Sequence, residues 1–205
     1  MVAHAEKPVT SRSEDKKECI LQAALELFAE KGFHGTAVPE IAERAGVAAG
    51  TIYRYFASKE AMVNAVYQRH KAQLLASVLD EFPYGSDARA QIHHFISRVL
   101  LFARRHPQAF QFLELHHHAP YLDDRSHEVE ANVIAMADGF VEQNERAKVL
   151  RKAPRGVLAA VVWGAVVGLV RATWEKRADL DTKSEVALEA ALWDAIRRSP
   201  DEAST

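Results

Sequence analysis

The sequence predicts an all-α protein, on three observations. Apolar residues recur every three or four positions through each long segment. No run of strand length alternates apolar with polar residues. Breaks at Gly32, Gly46, Pro83 to Gly85 and Pro107 cut the chain into pieces of helix length. At 205 residues the chain can bury two cores. The expected division is a mobile arm over residues 1–12, a short helical domain over 13–60 and a larger helical domain over 61–200.

The first element spans residues 14–31, with Ile20, Ala24, Leu27 and Phe28 at helical spacing, Ser13 as an N-cap and Gly32 to end it. A second covers residues 36–45. Ser58 can cap a helix running to about residue 81, with Met62, Val66, Leu74 and Val78 among its apolar positions, and this helix connects the domains. After Phe82-Pro83-Tyr84-Gly85, residues 87–105 carry Ile92, Phe95, Ile96, Val99 and Phe102 on one broad face. His106-Pro107 ends that helix, and Pro107 begins one reaching about His118. Asp123 or Asp124 then caps a helix with Val129, Val133, Met136, Ala137 and Phe140. Residues 157–170 are apolar almost all round. Thr182-Lys183-Ser184-Glu185 makes a capping box before residues 186–197, where Leu188, Leu192 and Ile196 recur every four positions.

The most informative stretch is GVAAGTIYRYF, residues 46–56. Glycine readily occupies the left-handed position that closes a helix, so Gly46 stops one helix just before another begins. Two helices joined by a short Gly-containing turn form the unit whose second helix enters the DNA major groove. Ile41, Ala42, Ala45, Val47, Ile52 and Phe56 face inward, which leaves Ala49, Gly50, Tyr53, Arg54 and Tyr55 to face out. Phenol and guanidinium groups reach phosphate oxygens, while Gly and Ala let the backbone approach the bases. Spacing alone is met equally by a plain helical hairpin with core tyrosines, or by a module that binds a protein partner.

The run ILQAALELFAEKGFHGTAVPEIAERAGVAAGTIYRYFASK, residues 20–59, resembles the DNA-binding domain of the tetracycline-repressor (TetR) family of bacterial regulators. The resemblance rests on AALELF, EKGF, Thr36, IAERAGV, GTIYRYF and SKE in that order. It implies a three-helix DNA-binding domain with contacts at Thr36, Ala49, Gly50, Thr51, Tyr53, Arg54, Tyr55 and Lys59. It also implies a larger helical domain that binds a small molecule and pairs two subunits. Two positions depart from the family pattern: Ala48 stands where Ser is usual, and Ala49 where Lys or another long polar residue is frequent. Ala48 lacks the oxygen of an N-cap, a loss of about 1 kcal/mol. Ala49 offers only a methyl, which suits a thymine methyl better than a purine edge. Direct base reading is therefore expected to be sparse, with phosphate contacts and DNA shape carrying more of the recognition.

Composition constrains the chemistry further. Residues 1–60 hold eight Lys and Arg against nine Asp and Glu, so this domain is nearly neutral and any attraction to DNA comes from local placement of charge. Arg12, Lys16 and Lys17 of the arm region can add phosphate contacts. The single cysteine, Cys19, excludes an internal disulfide and a cysteine-rich zinc site, and reads as a small core or boundary residue in a cytoplasmic protein. The first residues lack the apolar core of a signal peptide. There is no Gly-rich phosphate loop, GxSxG or HExxH, so no enzyme is expected. Ten histidines include His116, His117 and His118 in a row. Neighbours on a helix point about 100° apart, so at most one or two of the three could join Glu114 at one site. No metal and no cofactor are expected.

The remaining readings concern assembly and ligand. The apolar stretch 157–170, about fourteen residues, falls short of the roughly twenty needed to cross a bilayer, so it is a core or interface helix. Gly164 and Gly168 share a face that lets another helix come close. Val157, Ala160, Gly164, Gly168, Leu188, Leu192 and Ile196 form the expected interface of a homodimer, two helices from each subunit. Burial of the apolar helix within one subunit is the alternative. A dimer carries two recognition helices and suits a palindromic operator in double-stranded DNA, with half-sites about 34 Å apart. The resemblance implies an effector pocket, for which Phe95, Val99, Phe102, Phe110, Leu113, His117, Met136, Phe140 and Trp163 are the expected lining. Their apolarity suits a hydrophobic or aromatic effector.

Overall fold

The computed structural model describes residues 9–115 and 118–199. Its helices are α1 Val9–Lys31, α2 Val38–Arg44, α3 Ala49–Ile52, α4 Lys59–Leu79, α5 Ala88–Arg105, α6 Pro107–Leu115, α7 Asp124–Arg146, α8 Val157–Trp174 and α9 Thr182–Ile196, with a 3-10 turn at Ala119–Tyr121. The described residues contain no strand, only one bridge between Leu150 and Arg197. The fold is all-α, as the periodicity predicts.

The chain divides into two compact units, and the division is not the linear one expected. The first unit runs to Lys71 and also takes Gln108–Ser126; the second holds Ala72–Pro107 and continues from His127. Side chains explain the addition. Gln111 of α6 donates to the Ala29 carbonyl of α1 at 3.0 Å. Lys71 of α4 lies 3.4 Å from Glu114 of α6 with both side chains nearly buried, which engages the carboxylate weighed as a metal ligand. The core of this unit is Ile20, Leu27, Phe28, Ile41, Ile52, Met62, Phe110 and Phe112, each under 2% exposed or close to it.

Several boundaries differ from expectation for local reasons. Helix α1 begins at Val9, so Ser13 lies inside it and its hydroxyl pairs with the Tyr55 hydroxyl at 3.2 Å instead of capping. Cys19 is exposed and belongs neither to the core nor to its edge. Ala37 precedes α2 without an acceptor of its own, and the Glu40 carboxylate takes the Ala37 N–H at 3.1 Å. That bond, with Lys31 beside it, holds the Glu40 carboxyl below its ordinary value. Ser58 accepts from Ala61 N–H at 3.2 Å, as its cap signal predicts, and Asp87 caps α5 by accepting from Ala90 N–H at 2.8 Å. Helix α6 is described as Pro107–Leu115; the expected continuation toward His118 runs through residues 116 and 117, which lie outside the described residues. Asp123 caps α7 through Ser126 N–H. At α9 the cap is Asp181, bonded to Ser184 N–H at 2.8 Å; Thr182 sits inside the first turn.

In the second unit α5, α8 and α9 pack together. Leu158, Val166 and Val170 of α8 face inward with Ile92, Ile96, Val99 and Leu100 of α5 and Leu192 and Ile196 of α9 among the buried residues. Helix α8 continues through Arg171 to Trp174, eighteen residues with a mean hydropathy of 1.8. That length reaches the range able to span a bilayer, so the argument from a short apolar stretch does not stand.

Candidate nucleic-acid interface

The recognition segment is built on a buried frame. Helix α2 ends in a Schellman motif: Val47 N–H donates to Ala42 O at 2.9 Å and Gly46 N–H to Glu43 O at 3.1 Å, around Gly46 at φ 66°. A side chain at position 46 would be strained by that φ. Ile41, Ala42, Ile52 and Phe56 are buried, and Ala45 and Val47 half-buried. These six are the positions whose spacing turns them inward.

The outward face is short. Helix α3 has four residues, Ala49–Ile52, and continues as a turn through Tyr55. Ala48, Ala49 and Gly50 are exposed, and a Cβ built on Gly50 meets nothing within 4 Å. Arg54 is exposed, Tyr53 is 59% exposed, and Thr51 is half-buried. Ala48 makes no side-chain cap bond, in keeping with its missing oxygen. Tyr55 is half-buried, its hydroxyl turned toward Ser13 of α1.

Two of the expected contact residues are engaged inside the unit. Thr36 is 2% exposed, and its hydroxyl is within 3.1 Å of the Leu27 carbonyl and 2.8 Å of the Gly32 carbonyl. Lys59 donates to the Phe33 carbonyl at 2.8 Å and the Thr36 carbonyl at 2.9 Å, with its ammonium 4.1 Å from the Phe33 ring centre. Thr36 thus ties the α1–α2 turn back to α1, and Lys59 ties it to α4, which spacing in the sequence does not reveal. Pairing also occupies other charges: Arg44 with Glu26 at 3.1 Å, and Lys31 with Glu40 at 3.1 Å. Of the eight positions, Ala49, Gly50, Tyr53 and Arg54 present an open surface.

The segment with this geometry lies inside a stretch that matches a known domain family. Residues 20–66 match "Bacterial regulatory proteins, tetR family", and residues 67–198 match "Tetracyclin repressor-like, C-terminal domain". The chain belongs to the TetR family. The HTH-type transcriptional regulator RutR of Escherichia coli K12 is 31% identical over 183 residues, 88% of this chain and 82% of RutR. The transcriptional activator FasR of Mycolicibacterium smegmatis is 29% identical over 100 residues, 49% of this chain and 46% of FasR. A TetR-family regulator from Marinobacter aquaeolei VT8 superposes with a TM-score of 0.80 at 22% identity, covering 93% of this chain and all of that one. TetR proteins are helix-turn-helix transcriptional regulators, not an enzyme family, and the recognition segment lies inside the matched DNA-binding domain.

In the TetR C-terminal region, the expected pocket residues are dispersed. Phe110 and Leu113 belong to the first unit, while Phe95, Val99, Phe102, Met136, Phe140 and Trp163 belong to the second. Val99, Phe102, Phe110 and Leu113 are buried. Phe95 and Trp163 are half-buried with ring centres 6.2 Å apart, and Phe140 is half-buried. Met136 is 48% exposed on α7, so it faces solvent and not an enclosed pocket. His117 lies outside the described residues. Of these nine, Phe102 lines an open recess in the second unit with Ser77, Asp80, Arg98 and Arg105. Among the described residues no group of three or more His, Cys, Asp or Glu is placed to hold a metal.

The expected pairing helices divide more cleanly. Val157 and Val161 are each 42% exposed, and Ala160, Gly164 and Gly168 are exposed with open space at both glycines. On α9 the register is corrected. Leu192 and Ile196 are buried, 4% and 1% exposed, and Leu188 is half-buried, because this row packs on the subunit's own core. The outward row of α9 is Val186, Ala187, Ala190 and Ala191.

Proposed function

We propose that this TetR regulator is a homodimeric, cytoplasmic repressor that binds a palindromic operator and is released by a small apolar or aromatic molecule. The observation that carries DNA binding is the exposed Ala49, Gly50, Tyr53 and Arg54 on a frame with Ile41 and Ile52 fully buried. Tyr53 and Arg54 contact phosphate, and Ala49 and Gly50 allow close approach to the bases. The homodimer is supported by the outward rows of α8 and α9, which are apolar although exposed in one subunit. Burial of such area contributes roughly 25 cal/mol per Å². The apolar length of α8 is read as this subunit contact and not as a membrane span. The effector's chemistry is supported by the aromatic content around Phe95, Phe102 and Trp163. Effector binding shifts the dimer between two shapes in proportion to its differential affinity for them, and a shape with altered separation of the recognition segments fits successive grooves poorly.

The test selects genomic fragments on the purified protein at about physiological salt and sequences what is retained. An enriched palindrome is expected, since specific binding exceeds non-specific binding by about 10³-fold or more. Retention of fragments without a shared sequence counts against operator binding. Release of the selected operator by apolar compounds, and not by charged ones, tests the effector class.

A further inference from the structure

The family models divide the chain at residue 66, yet Gln108–Ser126 belongs to the compact unit that carries the recognition segment. Asn64 of α4, 5% exposed, anchors this stretch. Its amide donates to the Glu60 carbonyl at 2.9 Å and the Tyr121 carbonyl at 2.7 Å; its oxygen accepts from Asp123 N–H at 2.8 Å and the Ser126 hydroxyl at 2.7 Å. Gln68 adds bonds to Asp123 at 3.2 Å and Ser126 at 3.0 Å. An amide with all four hydrogen-bond positions filled, in a buried setting, fixes the backbone it holds.

The fixed backbone presents Tyr121 to the α1–α2 turn. Its ring stacks on Phe33 with centres 3.9 Å apart and planes 20° apart, and its hydroxyl shares a hydrogen bond with His34 Nε2 at 2.6 Å. Phe33 is also the residue whose carbonyl and ring receive the Lys59 ammonium. The turn leads directly into α2, and α2 ends at Gly46 and the recognition segment. Residues 118–126 thus form a strap against the base of the helix-turn-helix. The strap is continuous in sequence with α6 on one side and α7 on the other.

We propose that Tyr121 is a positioning residue for DNA binding: the strap holds the α1–α2 turn, and through α2 the recognition segment, in the shape that fits the groove. The inference rests on the DNA-binding reading above.

The test is a double-mutant cycle in the full chain against the selected operator. Tyr121→Phe removes only the bond to His34, and His34→Ala removes its partner. Each is expected to weaken operator affinity about three- to tenfold, the range of one lost hydrogen bond, and the double variant no more than either single. Additive losses overturn the proposal, because they make His34 and Tyr121 act separately, as a direct DNA contact by His34 would. Unchanged affinity in both singles also overturns it. Tyr121→Ala supplies a readout free of DNA: amide exchange over residues 33–37 should accelerate while helix content and dimer mass are kept. Unaltered exchange there overturns the strap. A wild-type chain that retains no duplex overturns the DNA-binding reading itself, a result distinct from Tyr121 variants that bind as well as wild type.

Discussion

The two outward surfaces of this chain are built from opposite materials. Around residues 49–54 the exposed side chains are small, phenolic or cationic, and the apolar residues between them are buried to the last few percent. Along α8 and α9 the exposed residues are themselves apolar: Val157, Val161, Val186 and the alanines and glycines between. A face that keeps hydrogen-bonding groups in water loses little by standing free, and waits for a polyanion. A face that keeps valine in water is stabilised by any fitting apolar partner, and a second copy offers the same face. The contrast separates the proposed DNA contact from the proposed subunit contact.

The largest effect should come from breaking the apolar face. Val161→Glu places a carboxylate at the proposed subunit contact, where burial of an unpaired charge costs several kcal/mol. The subunit's own core does not use this exposed position, so helix content should be unchanged while sedimentation or light scattering reports monomers. Operator affinity should fall by orders of magnitude, since each monomer reads one half-site alone. A variant that stays dimeric would move the interface elsewhere on the chain.

On the other surface, neighbours in sequence should separate stability from binding. Ile52→Ala empties a fully buried site and should cost about 2–5 kcal/mol of stability. Tyr53→Ala, next along the chain and 59% exposed, should leave the melting temperature within a few degrees yet weaken operator retention. Arg54→Ala should reduce the dependence of log affinity on log salt by about one unit if its contact is a phosphate. Equal loss of stability in Ile52→Ala and Tyr53→Ala would make Tyr53 part of the frame.

Thr36 provides a sharper division. Its buried hydroxyl serves the Leu27 and Gly32 carbonyls, so Thr36→Val should cost about 1–3 kcal/mol by leaving polar groups without their donor. Loss of DNA binding should then follow loss of fold, measured as denaturation midpoint and operator affinity on the same samples. Thr36→Val that keeps its midpoint and loses the operator would restore the direct contact that the family resemblance implies.

The sequence makes one side of these distinctions legible and hides the other. Periodicity identifies Ile41, Ile52 and Phe56 as inward because a helix has a fixed angular repeat, and Gly46 marks the turn because few other residues tolerate its φ. Ser58 is a cap in fact as in pattern, while Ser13 and Thr182 yield to helices that begin earlier or to Asp181. Long-range partners leave no such local mark. Thr36 and Lys59 read as outward polar residues until the carbonyls of Leu27, Gly32 and Phe33 are seen beside them. Leu188, Leu192 and Ile196 form a valid apolar row, but which of two partners covers it, its own core or another subunit, is a matter of tertiary packing. The strap around Tyr121 lies 57 residues from Asn64, beyond any local pattern.

The smallest effect concerns the cap that orients α9 and its outward row. Asp181 accepts the Ser184 N–H, and that backbone bond, with the Ser184 side chain, holds its carboxyl below the ordinary aspartate value. A carboxyl whose folded value is depressed stabilises the fold fully above its unfolded value, and that contribution is lost as pH falls through the folded one. Acid should therefore loosen the start of α9 as pH falls through the depressed Asp181 value. Asp181→Asn keeps an N-cap acceptor without a titrating proton, so its stability should decline less steeply than wild type across the same acid window. Site-resolved carbon NMR of the Asp181 carboxyl, with a midpoint at the ordinary value, would remove the cap from the account of how α9 presents Val186 and its neighbours.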